Sequence, residues 1–92
     1  MMALGFYFGS GSFTPEQYDE AVKRLEEAGA GAPAGRLHHV ALEGDGQIRV
    51  FDVWESQESF DAFGETLMPI LGEVGADPGQ PDVAPIRNII KG

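Results

Sequence analysis

The 92-residue chain contains no cysteine. That excludes disulfide staples, a thiolate nucleophile and Cys-ligated zinc or iron–sulfur clusters. A secreted domain of this size ordinarily carries such staples, so the expected compartment is a reducing cytoplasm. Basic residues are scarce as well: 6 Lys plus Arg stand against 15 Asp plus Glu, for a formal net charge of −9. Without a basic stripe the chain lacks the counterion release that dominates nucleic-acid affinity, and anionic lipid repels it. Neither nucleic acid nor membrane is an expected partner. The apolar opening from Met1 to Phe8 is too short to span a bilayer and has no basic flank, which argues against a membrane segment and a signal peptide. No P-loop, dinucleotide glycine fingerprint, Gly-x-Ser-x-Gly elbow or His-x-x-x-His pair occurs. The adjacent His38 and His39 would point to opposite faces of a strand, so no metal site is expected.

What is present is a period that switches at turn residues. Ala3 to Phe8 alternates bulky and small side chains and reads as a strand ended by Gly9-Ser10-Gly11-Ser12. Thr14-Pro15-Glu16-Gln17 then supplies an N-cap hydroxyl, a proline at the first helical position and a Gln that completes a capping box. Tyr18, Ala21, Val22, Leu25 and Ala28 form the apolar stripe of that helix, which Gly29 stops. Leu37–Leu42 and Ile48–Trp54 read as a hairpin around Glu43-Gly44-Asp45-Gly46-Gln47. A second helix begins after Ser56 and carries Phe60, Phe63, Leu67, Ile70, Leu71 and Val74 on one stripe. Gly64 and Pro69 weaken it, and a kink or split is expected near its middle. Asp82 to Ile90 reads as the last strand.

The order is β-α-β-β-α-β, an α+β ferredoxin-like plan with a four-stranded antiparallel sheet and two helices on one face, built as a single domain over residues 1–92. In the third strand Ile48, Val50 and Trp54 point one way and Phe51 and Val53 the other, so both faces need cover. Two helices cover one face. A domain of this length buries only about 60–65% of its unfolded surface, and a second copy packed sheet to sheet is the simplest source of the missing cover. A homodimer is therefore expected.

The run Val53-Trp54-Glu55-Ser56-Gln57-Glu58-Ser59-Phe60 resembles the dimeric α/β-barrel superfamily, whose small members include the antibiotic biosynthesis monooxygenase-like proteins. Leu37-His38-His39-Val40-Ala41 and Leu67-Met68-Pro69-Ile70-Leu71 agree with it, and the likeness covers nearly the whole chain. The resemblance implies two sheets joined as a dimeric barrel. It leaves open cofactor-independent monooxygenases, polyketide cyclases, haem-degrading enzymes, chlorite dismutase relatives and muconolactone isomerases, because the fold does not choose among them. The small haem-degrading members, as the resemblance has it, carry a second Trp and a haem-ligating His on the second helix and an Asn on the first strand. Here those helix positions are Phe63 and Gly72, and the first strand has no Asn. No haem and no other cofactor is expected.

If Leu42 pairs with Ile48, His38 lies opposite Asp52, on the face of Val40, Val50 and Trp54, while His39 lies beside Phe51. A slip of one residue would put His39 in place of His38. An imidazole beside a carboxylate among apolar groups is how a general base near neutral pH is made. The same pair equally serves to close a polar gap in a core or interface. Phe6, Phe8, Phe51, Phe60 and Phe63 with Met68 make an aromatic-rich volume suited to a flat hydrophobic molecule or simply to a packed core. Tyr7, Val50, Trp54, Phe63, Leu67 and Asn88 are the expected ligand-facing residues, with Trp54 read alternatively as core and Tyr18 as a second hydroxyl donor. The resulting expectation is a cofactor-independent monooxygenase or cyclase acting on an aromatic, polyketide-like molecule. The alternatives are a binding protein for a hydrophobic small molecule and a structural member of the fold.

Overall fold

The computed structural model describes residues 2–92; Met1, which opens the apolar run, lies outside them. The elements are β1 (Leu4–Phe8), α1 (Pro15–Glu27), β2 (Arg36–Gly44), β3 (Gln47–Trp54), α2 (Gln57–Val74) and β4 (Asp82–Pro85). The sheet is antiparallel in the order β2-β3-β1-β4, the ferredoxin-like arrangement that the element order predicts.

Local chemistry fixes where each helix starts. The Thr14 hydroxyl accepts the Gln17 N–H at 3.1 Å while Gln17 Oε1 accepts the Thr14 N–H at 2.9 Å, which completes the expected capping box. The same Gln17 side chain donates from Nε2 to Val74 O at 3.3 Å and Gly75 O at 3.0 Å, tying the start of α1 to the end of α2. Ser56 caps α2 by accepting the Ser59 N–H at 3.1 Å. Despite Pro69, α2 runs as one helix rather than splitting; the bonds of the surrounding turns and the burial of Ile70 and Leu71 hold it across the one missing donor.

The core lies between the sheet and the helices. Trp54 and Phe6 are its fully buried centre. Phe6 stacks on Phe60 with centroids 4.2 Å apart, and Trp54 meets Phe60 edge-on at 5.7 Å. Phe51 lies on the other face of β3, and Met68 is exposed on α2, so neither joins the aromatic volume expected of them.

Two boundaries differ from the sequence reading. The hairpin turns on two residues, Asp45 at φ 55° and Gly46 at φ 74°, and Gly44 pairs with Gln47. This is the geometry that an Asp-Gly pair favours, and it moves every partner on β2 by one residue from the expected Leu42–Ile48 pairing. The last strand ends at Pro85 rather than Ile90. Pro85 has no N–H to give a ladder, and after the Ile86 N–H donates to Ala3 O at 2.8 Å the chain leaves the sheet.

The face of the sheet away from the helices carries Tyr7, Val40, Leu42, Phe51 and Val53. Val40 is 46% and Leu42 49% exposed. Gly5 lies on this face, where an added Cβ would stand 2.9 Å from Ile86 Cδ1 and 3.3 Å from Phe51 Cε1. Its missing side chain is what lets those two close over the middle of the sheet.

Candidate functional site

On the helix-facing side of β3, Asp52 is 5% exposed, the one buried charged side chain among the described residues. A carboxylate taken out of water needs partners on both oxygens. It has them. His39 Nδ1 stands 2.6 Å from Oδ1, and Trp54 Nε1–H donates to Oδ2 at 3.3 Å. The other ring nitrogen, His39 Nε2, is 2.7 Å from the Tyr18 hydroxyl on α1. The partners assign the tautomer: an ionised carboxylate only accepts, so Nδ1 carries the proton. In the neutral ring Nε2 is then the acceptor, and the Tyr18 O–H donates to it. The result is a continuous chain, Tyr18 to His39 to Asp52 to Trp54, spanning α1, β2 and β3.

The hairpin register decides which histidine takes part. His39 pairs with Asp52, whereas His38 pairs with Val53 and lies on the outer face. The expected His38–Asp52 pair is therefore replaced by the one-residue alternative, His39, because the Asp45-Gly46 turn is tighter than a five-residue loop from Glu43 to Gln47.

Tyr18, His39 and Asp52 line a cavity of about 150 Å³, comparable to an apolar cavity that accepts a single benzene ring. Phe8, Phe60, Phe63, Val50 and Leu67 supply most of its apolar wall, and Gly31 and Arg36 contribute to its rim. Loop contacts complete it. Ile48 N–H donates to Phe13 O at 2.7 Å and the Phe13 N–H to Gln47 Oε1 at 3.0 Å, which seats Phe13 at the end of the hairpin. Ser12 and Asp77 exchange backbone bonds at 2.7 and 2.9 Å and bring Pro78 against the same cavity.

Of the expected ligand-facing residues, Val50, Phe63 and Leu67 line this space with Asp52. Trp54 stands behind it as core and as a donor to Asp52. Tyr7 is on the outer face, bent over Gly9. Asn88 is exposed in the segment after β4, because that strand ends three residues earlier. Arg36 lines the cavity although nothing in the strand pattern marked it. A register shift between Arg36 and His38 turns its side chain to the helix face.

Burial holds the Tyr18 hydroxyl above its ordinary range; the positive charge of Arg36 opposes that effect, and Asp52 and Asp19 add to it. Tyr18 is thus kept as a neutral O–H, a donor rather than a phenolate. Among the described residues no group of three or more His, Asp and Glu side chains is placed to hold a metal ion, and no helix is long and apolar enough to cross a membrane.

Among solved structures the chain is similar to a protein of Chloroflexus aurantiacus described as an antibiotic biosynthesis monooxygenase, with a TM-score of 0.63, 20% identity and 97% of each chain covered. It is also similar to SnoaB, a cofactor-independent oxygenase from Streptomyces nogalater, with a TM-score of 0.57, 12% identity and 99% and 97% covered. The fold is that of the antibiotic biosynthesis monooxygenases. At these identities the likeness carries the fold and not the chemistry. No family model and no curated protein matches the sequence.

Proposed function

We propose that this protein is a homodimeric, cofactor-independent oxygenase that deprotonates a flat phenolic or enolisable molecule in the cavity and lets the resulting anion react with dioxygen. The observation that carries the reading is the Tyr18–His39–Asp52 chain opening on an apolar cavity. A substrate oxygen draws the Tyr18 hydroxyl away from His39 and frees Nε2. That nitrogen removes a proton from the acidic carbon, Asp52 stabilises the imidazolium, and the Tyr18 O–H stabilises the enolate oxygen. The carbanion passes one electron to dioxygen, and the radical pair joins through a new C–O bond. The resulting peroxide anion recovers the proton from His39. Loss of water, with cleavage of the O–O bond and departure of the second C–H proton, leaves a carbonyl. In balance, a methylene and dioxygen become a carbonyl and water.

The homodimer is supported by the apolar outer face, where Val40 and Leu42 are half exposed beside Phe51. A second copy packed there would supply the cover that two helices leave out.

The test is oxygen uptake and product analysis with single-ring probes that fit the cavity, resorcinols and cyclic diketones. Uptake above the spontaneous rate that survives His38→Ala and is lost in His39→Ala is the expected result. Equal rates in the two variants would remove His39 from the mechanism.

One observation favours a second reading. Among the described residues every buried side-chain nitrogen and oxygen has a hydrogen-bond partner, so the polar chain is complete without a ligand. A non-catalytic binding protein for a hydrophobic small molecule needs no more than that, and it would return its ligand chemically unchanged.

A further inference from the structure

Arg36 opens β2 opposite Trp54. His39 lies three positions further on, and in a regular strand an odd offset puts side chains on opposite faces. The irregularity between Arg36 and His38 absorbs one residue, so both side chains face the cavity. The Arg36 guanidinium donates from Nη2 to Gly31 O at 3.0 Å and stands 5.9 Å from the centroid of the Phe63 ring. Carboxylates outnumber cations 15 to 6 in this chain, yet among the described residues Arg36 forms no ion pair. The charge of Asp52, in the same cavity, is engaged by His39 and Trp54. Arg36 is therefore the one permanent cation lining the space, it is anchored by Gly31 O, and among the described residues no carboxylate stands within ion-pair distance of it.

We propose that the cavity takes a single-ring aromatic carboxylate bearing a hydroxyl, with the ring against Phe60 and Phe63, the carboxylate on the Arg36 guanidinium and the hydroxyl at Tyr18 and His39. Three features select this class. The volume of about 150 Å³ holds one ring. The wall is aromatic and apolar, which suits the flat body of the ligand. The planar guanidinium matches a carboxylate in shape and charge, and an Arg at a cavity rim gives a ligand direction as well as affinity. For the chemistry at the hydroxyl this inference rests on the proposed function, but the class of ligand is read out by binding alone.

The experiment is calorimetric titration of the full chain with 4-hydroxybenzoate and with 4-methylphenol, which keeps the ring and hydroxyl and replaces the carboxylate by a methyl group. Wild-type protein is expected to prefer the acid by about tenfold or more. Arg36→Gln removes that preference and Arg36→Lys retains part of it, while measurable binding of 4-methylphenol by both variants reports that they are folded. Equal wild-type affinity for the two probes, no binding of the acid, or a preference that survives Arg36→Gln overturns the assignment. Oxygen uptake with neutral probes alongside a failed preference leaves the oxygenase standing without the acid. A clear preference without any turnover does the reverse.

Discussion

His39 and Asp52 face each other across the β2–β3 ladder, with Nδ1 and Oδ1 2.6 Å apart. Their partners run in both directions, to Trp54 behind the carboxylate and to Tyr18 beyond the imidazole. With His39 in place only 8% of the Asp52 side-chain surface is exposed; removing the ring takes the partner from one of its oxygens, so His39→Ala should lower stability by about 1–3 kcal/mol, read by urea titration. Its turnover of an accepted substrate should fall by about 10²-fold or more. His38→Ala, on the other face of the same strand, should change neither quantity.

The Tyr18 hydroxyl gives the fold a dependence on alkaline pH. Its protonation is favoured in the folded state because burial raises it above the ordinary tyrosine value. Above about pH 10 the unfolded chain releases that proton while the folded chain still holds it. Stability is therefore full below that value and declines as pH rises toward the raised one. Tyr18→Phe should remove this contribution to the slope. In a Tyr7→Phe background Tyr18 is the sole tyrosine, and its phenolate absorbance should appear later than that of a free tyrosine.

The half-exposed Val40 and Leu42 on the outer face predict that charge there separates the two copies. Sedimentation equilibrium should give twice the chain mass for the wild type and a single chain for Val40→Glu combined with Leu42→Glu. A wild-type monomer would remove the homodimer from the account.

Two glycines should respond in opposite directions. Gly5→Val places atoms against Ile86 and Phe51 and should cost about 1–3 kcal/mol through overpacking. Gly64→Ala in α2 meets nothing within 4 Å and should stabilise the fold by about 0.5–1 kcal/mol, because alanine is the better helix former. Thermal unfolding compares the two directly.

The order of elements, the capped start of α1 and the two-sided burial of β3 were legible in the sequence, because each follows from a period or a cap that only one local structure satisfies. The identity of the paired histidine was less so. His38 and His39 are chemically equal, and one residue of register exchanges them. The Asp45-Gly46 pair holds the information, but Glu43, Gly44 and Gln47 beside it read equally well as loop, whereas they belong to the ladder. Arg36 was hidden for a related reason: the irregularity at Leu37 reverses the face of everything before it, and leucine fits a regular strand as well as an irregular one. Asn88 was placed by the β-branched run after Asp82, in which Pro85 outweighs Val83, Ile86, Ile89 and Ile90.

The central claim is that His39 presents an unprotonated, accepting Nε2 toward the cavity because Asp52 holds the proton on Nδ1. Nitrogen-resolved NMR of the imidazole rings at neutral pH measures this directly. The expected result is a single Nδ1–H tautomer for His39 with a strongly hydrogen-bonded proton, lost in Asp52→Asn. An Nε2–H tautomer at His39, or a His39 spectrum indifferent to Asp52→Asn, would contradict it.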